Sequence, residues 1–209
     1  WGGPPPRGAP GCGNGVGGTV LRGGARASVE GMAQQIVVMG VSAVGKSTVG
    51  AALAERLGVP FLDADDLHDS AAIASMAAGI ALTDVERMPW LGRVGAALSA
   101  QAGGAVIACS ALARRHRDAI RATAPGAIFV HLDAPADVLA IRAGAREGHF
   151  MPASLLESQL ATLEPLEADE KGFAVDASLP VDDLVTAAAQ RLGRSPAART
   201  TRDAPRPRG

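Results

Sequence analysis

The sequence predicts an α/β fold: a five-stranded parallel sheet with helices on both faces. Three observations carry that prediction. Short, fully apolar, β-rich runs recur along the chain, as strands buried on both faces require. Helical patterns alternate with them, the rhythm of crossover connections rather than hairpins. The first apolar run also leads through a glycine-rich turn directly into a helix.

Taken in order, "QIVVMG" (35–40) is the first strand. "KSTVGAALAERLG" (46–58) follows as a helix, with Val49, Leu53 and Leu57 at i, i+4, i+8 and Gly58 as its stop. "PFLDA" is the second strand. An alanine-rich helix runs from there to Gly79, and another from about Asp84 to Ala102. "GAVIACS" (104–110), "AIFVHLD" (127–133) and "GFAVDAS" (172–178) supply three more strands. Helices beginning near Leu112, Pro135 and Pro180 separate or follow them. There is no internal repeat.

The 209 residues suit one domain with tails. Residues 1–31 are Gly/Pro-rich and read as a disordered N-terminal extension, with Met32 the expected natural start. Residues 194–209, rich in Pro and Arg, read as a disordered tail, which leaves 32–193 as the folded domain. The overall charge of −1 divides unevenly, at +2 for residues 1–31, +4 for 194–209 and −7 for the domain between. An acidic domain argues against nucleic acid as its main ligand. No apolar run approaches the roughly 18 residues of a membrane span. Cys12 and Cys109 stand far apart with no metal-ligand spacing, so a reducing compartment is expected.

The glycine-rich turn is "GVSAVGKS", Gly40 to Ser47. It matches G-x-x-x-x-G-K-[ST] with a strand before it and a helix after it. Glycines let successive N–H groups point inward, and the helix N-terminus adds partial positive charge for phosphate. Gly40, Ser42, Ala43, Val44, Gly45, Lys46, Ser47 and Thr48 are therefore the expected nucleotide-binding set. Lys46 would reach the outer phosphates and the Ser47 hydroxyl would ligate Mg²⁺.

"FLDADDLH" (61–68) places three carboxylates and a histidine in six residues at a strand's carboxyl end. Ligands of doubly wound sheets gather at such ends, here one strand over from the cradle. On extended chain Asp63 and Asp65 point the same way. Phosphorylation of a hydroxyl needs a carboxylate to orient it and accept its proton, and negative charge to hold the metal. Asp65 is the candidate base and Asp63 the candidate magnesium partner. Asp66 is expected to start the next helix, where an acid suits the dipole.

With these residues in view the chain resembles the gluconokinases, small P-loop sugar-acid kinases. The resemblance rests on "MGVSAVGKSTVG" (39–50), "DADDLH" (63–68), "RMPWL" (87–91), "ACSALARRHRD" (108–118) and "GHFMPASLLESQLATLE" (148–164). Order and spacing hold across residues 36–192. It implies a P-loop kinase fold with a small lid, and ATP-dependent phosphorylation of D-gluconate to 6-phosphogluconate. It also implies a cytoplasmic enzyme that forms a homodimer. Departures from the family pattern are Ala64 for the usual Gly, Glu86 for Asp, and Asp69, Ala72 and Ser75 on the helix expected to cover the substrate.

A carboxylate substrate needs a cationic grip, and arginine's planar fork fits it. Arg87 is the leading candidate, with Arg114 and Arg117 sharing a helix face at i, i+3. His68 could bond a sugar hydroxyl, and His149 of "GHFMP" joins the substrate set. Trp90, His116 and His131 read as packing or structural residues. "RAGAREGHFMP" (142–152) contains two glycines between arginines, which suggests a lid at about 143–152. Arg146 would close on the transferring phosphoryl group, and Arg142 would stand near the base. Two alternatives stay open: another small-metabolite P-loop kinase, such as a shikimate-type enzyme, and an ATP-binding regulator without phosphotransfer.

Overall fold

The computed structural model of the chain describes residues 34–77, 82–144 and 153–193. Five strands form one sheet: β1 (Gln35–Met39), β2 (Phe61–Asp63), β3 (Ala105–Ala108), β4 (Ile128–Asp133) and β5 (Gly172–Asp176). Their order is β2-β3-β1-β4-β5, and every neighbouring pair is parallel. The helices are α1 (Lys46–Leu57), α2 (Ser70–Ala77), α3 (Asp84–Ser99), α4 (Arg114–Thr123), α5 (Ala136–Gly144), α6 (Ala153–Thr162) and α7 (Val181–Gly193). A 3₁₀ turn, Ala64–Leu67, follows β2.

Strand alternation sorts the core into two layers. From β1, Ile36 and Val38 pack with Val49 and Leu53 of α1 and Leu184, Ala188 and Leu192 of α7. Val37 and Met39 face the other way, against Trp90, Leu91, Val94 and Leu98 of α3 and Ile120 of α4. The central strand is buried on both faces, which explains why its sequence shows no polar alternation.

The elements end for identifiable reasons. Gly58 closes α1 in the left-handed region at φ 69°, its N–H returning to the helix carbonyls. Thr83 and Glu86 cap each other reciprocally at the start of α3. β5 stops at Asp176 rather than 178 because the Asp176 carboxylate accepts from Ser178 N at 2.8 Å and turns the chain. α4 starts at Arg114, not near Leu112, because Ala111 occupies φ 41° and Ala113 is extended. The expected flanking segments 1–31 and 194–209 lie outside the described residues, as does most of the expected lid. Among the described residues no helix is long and apolar enough to cross a membrane.

Candidate active site

The cradle begins where β1 ends. Gly40 sits at φ 142°, and a Cβ there would stand 2.8 Å from the Leu132 carbonyl oxygen, so only glycine fits. Its N–H donates to the Ser110 carbonyl at 3.3 Å, tying the loop to the end of β3. The loop then curls through two left-handed residues, Ala43 at φ 64° and Gly45 at φ 103°. Gly45 caps α1, and its carbonyl accepts from Val49 N. Ala43 adopts a conformation that costs an L-residue about 1 kcal/mol or more. Lys46 Nζ donates to the Val41 carbonyl at 3.0 Å, folded over the loop it belongs to.

The acidic turn meets this loop directly. Ser47 Oγ donates to Asp63 Oδ2 at 2.8 Å, and Asp63 Oδ1 accepts from Asp65 N at 3.1 Å. Two expectations change here. β2 is not the next strand over, since β3 lies between it and β1; the first turn of α1 spans that gap. The chain is also not extended between Asp63 and Asp65. It tightens into the 3₁₀ turn, with Asp63 as the cap and Asp65 and Asp66 in the first turn, where the sequence expects Asp66. The Asp65 side chain is 83% exposed in the open cleft. Crowding by the surrounding protein, first, and repulsion from Asp63, second, raise its carboxyl above the usual range, while Lys46 and His68 pull it down.

His68 backs this turn. Its ring stacks on Trp90 at 4.2 Å with 13° between planes, and Trp90 Nε1 donates to the Ala64 carbonyl at 2.8 Å. His68 Nε2 stands 3.8 Å from Asp65 Oδ1 with only 3% of the side chain exposed. Burial lowers its basicity, with Asp65 partly restoring it, so the ring is neutral near pH 7. The ring thus lies behind Asp65 rather than at the surface. Arg87 is half-buried at the head of α3, with Nη2 donating to the Leu82 carbonyl at 3.1 Å and Nη1 4.0 Å from Asp84. Burial is the main cause that lowers both His68 and His116, and the Arg87 charge adds to it in each.

On the far side of the cradle, a cavity of about 380 Å³ is lined by Ala43, Thr48, Arg142, Leu179 and Val181, among others. Apolar walls beside a phosphate loop suit a nucleobase, and Arg142 lies among the lining residues. The donor set also fits a hard divalent cation. Ser47 Oγ and Asp63 Oδ2 converge as oxygen ligands, and among the described residues no cluster of three or more His, Cys, Asp or Glu could hold a metal alone. Mg²⁺ takes one or two protein oxygens and completes its shell with phosphate and water.

Two expected substrate ligands are corrected. Arg117 is fully buried, and Nε, Nη1 and Nη2 all donate inside the protein: to Glu170 twice and to the carbonyls of Leu112, Glu164 and Pro165. No donor remains for a substrate. Arg114 is bound to Glu167 and bidentately to Asp169. Both arginines lock the 164–171 connector onto α4. Helical spacing put them on one face but could not say which acids would meet that face. Arg146 and His149 lie outside the described residues. The residue missed by sequence reasoning is Gln159, whose Oε1 accepts from Ser42 N at 2.6 Å. The signal was a polar residue on the apolar stripe of α6.

Strand, phosphate loop, helix and a facing acidic turn on a parallel sheet define a P-loop kinase. The shikimate kinase family profile matches residues 42–171. Gluconokinase of Gluconobacter oxydans is 51% identical over 138 residues, covering 65% of this chain and 78% of that protein. A gluconokinase structure from Sinorhizobium meliloti is 46% identical, with a TM-score of 0.72 over 78% of this chain and 93% of its own. An unliganded sugar kinase from Janibacter is 45% identical, with a TM-score of 0.73 over 81% and 99%. The chain belongs to the gluconokinase family, within the shikimate-kinase type of P-loop kinase.

Proposed function

We propose that this enzyme transfers the terminal phosphoryl group of ATP to the 6-hydroxyl of D-gluconate, giving 6-phospho-D-gluconate. Among the named relatives, 51% identity to a gluconokinase supports the substrate. One observation carries phosphotransfer over simple nucleotide binding: the Asp65 carboxylate stands exposed beside the cradle, one turn from the Ser47–Asp63 pair. A regulator that only bound nucleotide would need no such base.

In this reading the cradle amides and Lys46 hold the phosphates, and Lys46 exchanges its bond to the Val41 carbonyl for a phosphate oxygen. Ser47 and Asp63 hold the magnesium ion, which when bound neutralises charge on the phosphates. Asp65 orients the sugar hydroxyl and takes its proton, and its raised pKa strengthens it as a base near neutrality. His68, stacked on Trp90, backs the turn that carries Asp65. Arg87 offers its remaining N–H groups to the substrate carboxylate. Water exclusion falls to the segment containing Arg146, and Arg142 grips the base. A homodimer in the cytoplasm completes the proposal.

A substrate panel tests it. ADP release is measured with D-gluconate, other sugar acids and shikimate, and the gluconate product is assigned by ³¹P and ¹³C NMR. The proposal predicts turnover with gluconate at least tenfold above every other acid and phosphorus on C6. Preference for shikimate, or MgATP binding with no acceptor turned over, would overturn it. Sedimentation velocity reads the dimer directly.

A further inference from the structure

Helix α6 and the residue that follows it turn Leu156, Leu160 and Leu163, at i, i+4 and i+7, toward the core. Gln159 occupies the i+3 position of that same stripe, where another apolar residue would pack. Instead its carboxamide meets the phosphate cradle, with Oε1 2.6 Å from Ser42 N. Chemistry fixes the amide's orientation: a backbone N–H can only donate, so the atom facing it is the oxygen. Nε2 is then turned the other way. It can only donate, and among the described residues it has no hydrogen-bond partner.

The position of this donor is set from both ends. Just past α6, Glu164 N donates to the Leu112 carbonyl and Glu164 Oε2 accepts from Arg114 N, which pins the helix to the β3–α4 loop. Ser42 is absent from the lining of the base cavity, which is built by Ala43, Val44, Gly45 and Thr48. It stands at the strand end of the loop, away from the nucleobase. The inner phosphates belong with the α1 N-terminus, so the group beside Ser42 is the outermost one.

We propose that Gln159 is a further catalytic residue: anchored through Oε1 on Ser42 N–H, it donates from Nε2 to the terminal phosphoryl group of the nucleotide. This rests on the phosphotransfer reading above and adds a side-chain donor that neither the loop motif nor the acidic turn contains. An amide is suited to the place, because it satisfies a loop N–H and presents a donor to an anion with one planar group. A glutamate of the same shape would satisfy the N–H but repel the phosphoryl oxygens.

The test compares nucleotides that differ only in that phosphoryl group. Binding of MgADP and of the magnesium complex of a non-hydrolysable ATP analogue is measured by calorimetry on the full chain. Wild type, Gln159→Leu and Gln159→Glu are compared, with thermal melts run alongside. A hydrogen bond to a charged group corresponds to roughly tenfold to hundredfold in affinity. Gln159→Leu is therefore expected to weaken the triphosphate analogue at least tenfold while MgADP stays within about threefold, and Gln159→Glu to weaken it further. Turnover should fall with the analogue affinity while the KM for gluconate holds. Equal weakening of both nucleotides would make Gln159 a brace for the loop and overturn the proposal. So would unchanged analogue affinity, or a change confined to the KM for gluconate. If either variant melts well below wild type, the other carries the comparison; if both do, Gln159 is structural and the proposal fails. The analogue-to-ADP ratio needs no sugar acid, so it stands or falls separately from the choice of gluconate.

Discussion

Replacing Asp65 by Asn separates catalysis from stability. The side chain is 83% exposed, and its carboxylate stands 3.8 Å from His68 Nε2, beyond hydrogen-bond range. No buried bond is lost, so stability should move by no more than about 0.5 kcal/mol. The direction should be favourable. A carboxyl whose folded pKa lies above its unfolded value costs stability when ionised, and Asn removes both that cost and the repulsion from Asp63. Turnover should behave oppositely, because Asn keeps the shape but cannot accept the substrate proton. General-base losses run about 10²–10⁴-fold. The assay is coupled ADP release with gluconate from pH 4.5 to 8, with melting curves at each pH. In the wild type kcat/KM should fall as pH drops through the raised carboxyl pKa; in the variant that limb should vanish. Turnover within threefold of wild type, or a melting point several degrees lower, would refute Asp65 as the base.

Four further outcomes follow from the same geometry. Lys46→Ala should cost roughly a hundredfold or more in kcat, the scale of losing a key electrostatic donor, with the fold intact by circular dichroism. Arg117→Ala should destabilise by about 3–5 kcal/mol in urea melts, because it removes both Arg117 bonds to the buried Glu170 carboxylate and the donors to three backbone carbonyls, leaving Glu170 only Arg121 and the Glu167 N–H; a shift below 1 kcal/mol would return Arg117 to the list of free site residues. Glu170 supplies the acid dependence. Burial would raise its carboxyl, but hydrogen bonds from Arg117 and Arg121 outweigh that and hold it at about 2, below its ordinary 4.5. Its contribution is therefore complete above about pH 4.5 and lost as pH falls toward 2, and Glu170→Gln should flatten the melting-point slope across that window. Ala43→Gly should relieve the left-handed strain at φ 64° and raise stability by up to about 1 kcal/mol, read as a higher denaturant midpoint with an unchanged slope.

Periodicity and motif spacing by themselves determined the sheet, the phosphate loop and the strand end that carries the acids. Each is a local property: apolar runs report burial, the glycine-lysine-serine spacing reports a cradle, and both are written in consecutive residues. Only the tertiary structure decided which of the charged residues face the cleft. The sequence ranks Arg87 first but shows Arg114 and Arg117 as equally free donors. Arg114 and Arg117 are consumed by Glu167, Asp169 and Glu170, some fifty positions further along, and no local pattern encodes that meeting. The strand order was equally hidden. Nothing in "FLDADDLH" says that β3 inserts between β2 and β1, yet that insertion is what makes α1 carry Ser47 across to Asp63. Gln159 reads as one polar residue among leucines until α6 is laid against Ser42. A short stretch of chain fixes its own conformation and which side it buries, because those depend on neighbours three or four positions away. Which charge it meets depends on long-range packing, and there the physics is settled by the fold as a whole.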